Sequence, residues 1–337
     1  MKVGFETVVS YFPKTVMKRG DFSYLDPAIP EEQRIAFRGP DEVRRLKDKN
    51  AVEILGEGVA KMALDSAGLR TSDIDYIIAQ NMGGKHSLPM VGTYIHHKLG
   101  FLEDTPVLNI QESFIDACHV AWNLILAGEY KRVLSVAVAA VGTGGWGLDP
   151  TDPVSKNFGD GAGAVIVSSQ NLKCEFLSYA NRTLGEMYDH LFFNLRPPLH
   201  PELQKEGGEP ITVGNYLTAT PQFFEWQLEH GKGMALESIK KALKKAHLTF
   251  SDLDMIIDHQ ADDILHERWI EGLVEAGVSR DKWKQNWNKY GDLGAANVPA
   301  ILAEVWEQGQ IPKDSILALF EPGLGGVLPC IVLKWLG

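Results

Sequence analysis

The 337-residue sequence predicts an α/β protein in which one fold is used twice. Three observations lead there. Helical stretches alternate with short runs rich in Val and Ile (YIIAQ, VLNI, VLSVAVAAV, AVIV, MIID, ILALF, CIVLKW), a pattern of sheets covered by helices on both faces. Residues 63–78, ALDSAGLRTSDIDYII, recur as 242–257, ALKKAHLTFSDLDMII, with nine identities in register at a constant offset of 179. A second match follows each copy: "LAGEYKRVLSV" and "LAEVWEQGQIPKDSILAL" both end a helix before a strand, pairing Gly128 with Gly309 at an offset of 181. That offset sets Gln111 opposite Asp292 of "YGDLGAANVP". The expected halves are residues 1–168 and 169–337.

Taken in order, MKVGFETVVSYFPK alternates like a first strand and lacks the apolar core and cleavage site of a signal peptide. Residues 107–136 read as a buried strand, a break at Gln111, Glu112 and Ser113, a helix to about Ala127, and a second strand. The helix, expected from Glu112 to about Ala127, is apolar nearly all round, with Phe114, Ile115, Ala117, Cys118, Ala121, Trp122, Leu124 and Ile125, so it should lie buried between two sheets. Its counterpart, AANVPAILAEVW, is equally apolar, with Pro299 tolerable in a first turn. The glycines of "FGDGAGA" point to a close approach to a buried helix. "GTGGWG" at 142–147 satisfies G-x-G-x-x-G, but LDPTDP follows instead of a helix, which excludes dinucleotide binding. Residues from about 180 to 232, with RPPLHPE and KEGGEP, read as an irregular insertion capping a pocket.

Bulk properties narrow the function. A formal charge of −11 excludes a nucleic-acid footprint. Cys118, Cys174 and Cys330 are odd in number and unpaired in spacing, which excludes a disulfide framework and a cysteine zinc site. Adjacent His96 and His97 cannot share a helix face, so no metal site is expected. With no apolar run of about 18 residues, a cytoplasmic protein outside the membrane is expected.

"NFGDGAGAVIV", "DHQAD", "YGDLGAANVP" and "GLGGVLPCIVLKW" carry a resemblance to β-ketoacyl-ACP synthase III and its thiolase-superfamily relatives, over essentially the whole chain and in order. The resemblance implies the five-layered αβαβα thiolase fold, a homodimer or a heterodimer with a paralogue, and no cofactor. It implies acyl thioesters of CoA or acyl-carrier protein as substrates, in fatty-acid, polyketide or other secondary-metabolite synthesis. Such enzymes place a Cys nucleophile at the start of the first buried helix, a His after a second-half strand, and an Asn before the second buried helix. Counting back from Gly128 puts Gln111 at the Cys position; His259 matches the His, and Asp292 stands at the Asn.

Two of three positions thus depart from the pattern. An amide is no nucleophile, so Gln111 cannot carry an acyl group, although its NH₂ could donate to a thioester carbonyl. Relatives with Gln at this position imply malonyl-thioester decarboxylation. Asp292 points elsewhere: a carboxylate beside His259 orients the imidazole for general-base activation of a hydroxyl or amine, as in ketosynthase-III-like acyltransferases. Gln111 could also replace a native Cys. Ser113 is the alternative nucleophile, about 200° around a helix from Gln111, and Cys118, about 10 Å further along, is an inert core residue. The "PGLGG" turn offers backbone donors at Gly323, Gly325 and Gly326, and Arg38 a phosphate contact. Asp262 and Asp263 beside His259 would repel an acidic carrier. The expected activity is acyl transfer or condensation, with decarboxylation or a catalytically silent partner subunit as alternatives. Gln111, His259 and Asp292 should converge on one site.

Overall fold

A computed structural model describes residues 1–29, 38–86, 88–111, 113–141, 148–149, 151–197 and 214–337. The first half contributes β1 (Gly4–Tyr11), β2 (Val16–Lys18), β3 (Glu42–Arg44), α1 (Ala51–Ala67), β4 (Tyr76–Gly83), α2 (Val91–Leu99), β5 (Val107–Asn109), α3 (Phe114–Leu126), β6 (Arg132–Ala140) and β7 (Gly161–Ser168). The second contributes β8 (Cys174–Ala180), β9 (Leu191–Arg196), β10 (Gly214–Ala219), α4 (Pro221–His230), α5 (Lys232–Lys245), β11 (Met255–Asp258), α6 (Asp263–Glu275), β12 (Trp283–Lys284), α7 (Trp287–Tyr290), α8 (Asn297–Glu307), β13 (Ile316–Phe320) and β14 (Cys330–Trp335).

One sheet runs β1-β7-β6-β4-β5 and the other β8-β14-β13-β11-β12, the same order. The pairing senses match too: β4 lies parallel to β5 and β6 as β11 does to β12 and β13, while β7 and β14 are antiparallel to both neighbours. Between the sheets, Phe114, Ile115 and Cys118 of α3 and Val298, Ile301 and Leu302 of α8 share a core with Phe5, Val165, Ile257 and Leu333. On the outer faces, α1 and α2 cover the first sheet, and α5 and α6 cover the second. This is the five-layered arrangement.

The repeated residues perform the same task in each half. Asp73 and Asp252 accept from the N–H of Arg70 at 2.9 Å and of Thr249 at 2.8 Å, closing equivalent turns. Asp75 accepts from the Arg132 N–H, and Asp254 from the Ile316 N–H, clipping the next parallel strand in place. The helices before these turns end alike, in Gly68 at φ +66° and His247 at φ +59°. The left-handed conformation costs a residue with a Cβ stability that glycine does not lose.

Three expectations need correction. The first central helix begins at Phe114, not Glu112, and is not enclosed all round, since Asn123 and Leu126 are exposed. Its partner α8 is the enclosed one, with Pro299 in its first turn as expected. The insertion is not irregular throughout: β9 and β10 pair as a hairpin and α4 follows. "GTGGWG" and most of "RPPLHPEL" and "KEGGEP" lie outside the described residues. The glycine-rich stretch behaves as expected: a Cβ on Gly163 would stand 2.5 Å from Pro299 Cγ of α8.

His247→Gly should raise unfolding stability by about 1 kcal/mol in urea titration, because the exposed histidine holds a left-handed backbone. An unchanged or lower midpoint would mean that the αL strain is relieved elsewhere.

Candidate active site

Strand alternation decides where the end of β11 aims its side chains. Ile257 belongs to the central core, whereas Asp258 turns outward to His266 Nε2 at 2.7 Å and Trp283 Nε1 at 2.9 Å. His259, one residue on, returns to the central layer, and its N–H donates to Phe320 O of β13 at 3.0 Å. Its Nδ1 lies 3.3 Å from Gly294 O. A carbonyl only accepts, so Nδ1 carries the hydrogen and Nε2 of the neutral ring keeps its lone pair. Nε2 stands 3.7 Å from Asp292 Oδ1.

Asp292 is held by two connections. Its N–H donates to Asn157 O and its carbonyl accepts from Gly159 N–H, both at 2.8 Å, so the "NFGDG" loop carries the carboxylate. Gly159 has no alternative, because a Cβ there would stand 1.9 Å from Tyr290 O. Burial pushes the Asp292 carboxyl up to about 6, against the pull of His259 and of the Gly294 N–H, which donates to Oδ1 at 2.7 Å. His259 and Asp292 are therefore brought together.

Gln111 is not joined to them. It lies three residues before the first helical residue, its side chain is exposed and makes no hydrogen bond among the described residues, and its carbonyl accepts from the Ser113 N–H at 3.2 Å. Ser113 is the N-cap of α3, accepting from Asp116 N–H at 3.0 Å, and its hydroxyl donates to Glu321 Oε2 at 3.2 Å and not to His259. Ile115 N–H donates to the same Glu321 oxygen at 3.0 Å, and Phe114 N–H also acts on that carboxyl. The first N–H groups of α3 are thus occupied from within, by a serine and a glutamate. Cys118 is fully buried and its thiol is pushed well up by desolvation, then by Glu321. It is an inert core residue.

The remaining expected contacts divide. Gly323 is not a free donor: its N–H bonds Val327 O at 2.7 Å. Gly325 and Gly326, at φ +67° and +79°, make the turn itself, with Gly326 against Leu184. Arg38 is exposed and pairs with Asp263, which partly neutralises the acidic start of α6. Asp262 caps that helix, accepting from Ile264 and Leu265 N–H at 2.8 Å. Among the described residues no group of three or more His, Cys, Asp or Glu is placed to hold a metal. No helix there is long and apolar enough to cross a membrane.

Glu321 escaped the sequence reading. The signal was present: a carboxylate directly ending the apolar run ILALF, where a strand meets its site.

With this geometry in view, the 3-oxoacyl-[acyl-carrier-protein] synthase III family model matches residues 109–185 and its C-terminal companion matches 243–335, together just over half of the chain. The chain belongs to the ketosynthase III family. Similar proteins include the β-ketoacyl-[acyl-carrier-protein] synthase III of Staphylococcus saprophyticus, 26% identical over 339 residues and 99% of each chain. Among solved structures, the synthase III of Aquifex aeolicus VF5 superposes with TM-score 0.80 at 21% identity, covering 99% of this chain and 100% of that one. OleA of Xanthomonas campestris, crystallised with lauric acid and lauroyl-CoA, gives TM-score 0.81 at 16% identity over 99% of each. Ketosynthase III proteins are acyltransferases, and these structures share the thiolase-like fold.

Asp292 makes stability depend on pH in a calculable direction. Its folded-state value of about 6 lies above the ordinary 3.8, so its stabilising contribution is complete below about pH 4 and is lost as pH rises through 6. Relative to Asp292→Asn, the wild type should therefore lose up to about 3 kcal/mol between pH 4 and 8 in urea denaturation. A difference that stays constant with pH would show that the carboxyl is solvated.

Proposed function

We propose that this ketosynthase III relative is an acyltransferase that passes an acyl group from a CoA thioester directly to a hydroxyl or amine, with His259 as general base. One observation carries the reading: His259 Nε2 keeps its lone pair beside Asp292, while the candidate nucleophiles are either absent or occupied. The acceptor gives its proton to Nε2 as its oxygen or nitrogen bonds the thioester carbonyl carbon. The tetrahedral oxyanion collapses, the C–S bond breaks, and the leaving thiolate takes the proton back from the imidazolium. Asp292, ionised above about pH 6, stabilises that imidazolium.

OleA, which shares the fold, binds lauroyl-CoA, which supports an acyl-CoA donor.

The test is release of free CoA from an acyl-CoA panel in the presence of hydroxyl and amine acceptors. His259→Ala should lower kcat/KM by about 10²–10⁴-fold. Intact-mass measurement during turnover should show no acyl adduct on the protein. An adduct, or a His259→Ala variant at full rate, would sink the direct mechanism. Carbon–carbon bond formation with a malonyl thioester would return the chain to the condensing reaction of its relatives. A folded wild type inert to the whole panel would favour a non-catalytic partner subunit.

A further inference from the structure

Glu321 is 1% exposed and stands beside the histidine of the site. β11 and β13 run parallel with Asp258 opposite Phe320, so His259 and Glu321 are the next residues on neighbouring strand ends, about 4.8 Å apart. Phe320 packs with Trp269 in the outer layer, which turns Glu321, like His259, toward the central layer. There the carboxyl meets the start of α3. Its two oxygens differ sharply. Oε2 accepts from Ser113 Oγ and Ile115 N–H, whereas Oε1 is buried with no partner.

This asymmetry locates a proton. Oε2 takes the Ile115 N–H and, with the Ser113 hydroxyl donating, a second hydrogen, an arrangement that places the hydrogen of a neutral carboxylic acid on Oε1. Burial, reinforced by the Asp116 charge on α3, raises the Glu321 carboxyl well above the usual range despite the opposing donors. A buried O–H without an acceptor costs on the order of 1–3 kcal/mol, a cost that a ligand oxygen would remove.

We propose that Glu321, as a neutral acid, donates a hydrogen bond from Oε1 to the carbonyl oxygen of the bound acyl thioester. It replaces the N–H groups of α3, which are already occupied, as the polarising donor. The proton stays on Oε1 throughout. As the carbonyl becomes an oxyanion the bond strengthens, which stabilises the transition state more than the ground state. The catalytic part of this inference rests on the acyl-transfer reading; the binding part does not.

Infrared spectroscopy of a ¹³C-carbonyl acyl-CoA bound to the protein reads the donor directly and needs no turnover. The bound carbonyl stretch should shift to lower frequency than in solution. Glu321→Gln retains a donor of the same size and should keep most of the shift; Glu321→Ala should abolish it and lower kcat/KM by about 10²-fold. Should the alanine variant not fold, the wild-type spectrum and the glutamine variant decide the matter. An unshifted wild-type carbonyl, or a glutamine variant without the shift, overturns the proposal. If the shift is present but no acceptor is acylated, the acyl-transfer reading falls while the hydrogen bond stands. Failure of the folded wild type to bind any acyl-CoA overturns both.

Discussion

A carboxyl group from one half of the molecule closes the helix N-terminus of the other. Helix starts leave backbone N–H groups without intrahelical partners, and in a buried layer each must find an acceptor. In α3 they find Ser113 and Glu321. The contact spans 206 positions of sequence between Ile115 and Glu321, so it locks the two pseudo-symmetric halves at their shared centre. It also underlies the proposed chemistry. The positive end of a buried helix is where ketosynthase-like enzymes would favour a thiolate, and here that end is occupied by an internal acid.

The proposed catalytic pair follows from ordinary backbone rules applied at the same strand ends. Alternation along β11 sends Asp258 outward to a structural pair with His266 and returns His259 inward. Close approach of a glycine loop from the first half, with Gly159 against Tyr290, brings Asp292 from the second-half segment beside it. Desolvation then makes Asp292 a weak acid that ionises near neutrality, suited to supporting a transient imidazolium.

Much of the fold was legible because repeated residues have repeated tasks. Asp73 and Asp252 close turns, Asp75 and Asp254 clip strands, and Gly128 and Gly309 both end central helices at positive φ. The site was less legible for a geometric reason. The offset of 181 aligned helix ends, and the ends do match, but the starts do not. Phe114 follows a single N-cap residue, whereas a 3-10 turn over Gly294–Ala296 precedes α8. Counting back from the end therefore gave Gln111 the helix start that Ser113 in fact caps. Glu321 and the Arg38–Asp263 pair depend on distant segments meeting, which no local pattern records. Proline and glycine clusters likewise hid the β9–β10 hairpin and α4.

The central claim is that the neutral Glu321 carboxyl occupies the N–H groups at the start of α3, where a thiolate would otherwise be favoured. Ser113→Cys places a thiol on that position, and its thiolate can be followed by ultraviolet absorbance against pH. The native cysteines are buried with raised thiol values, so they remain silent. With Glu321 present the new thiol should ionise at or above the ordinary range of about 8.5; with Glu321→Ala in the same chain, its ionisation should move to lower pH. A thiol that titrates at the same pH in both backgrounds, or lower with Glu321 in place, would contradict the claim.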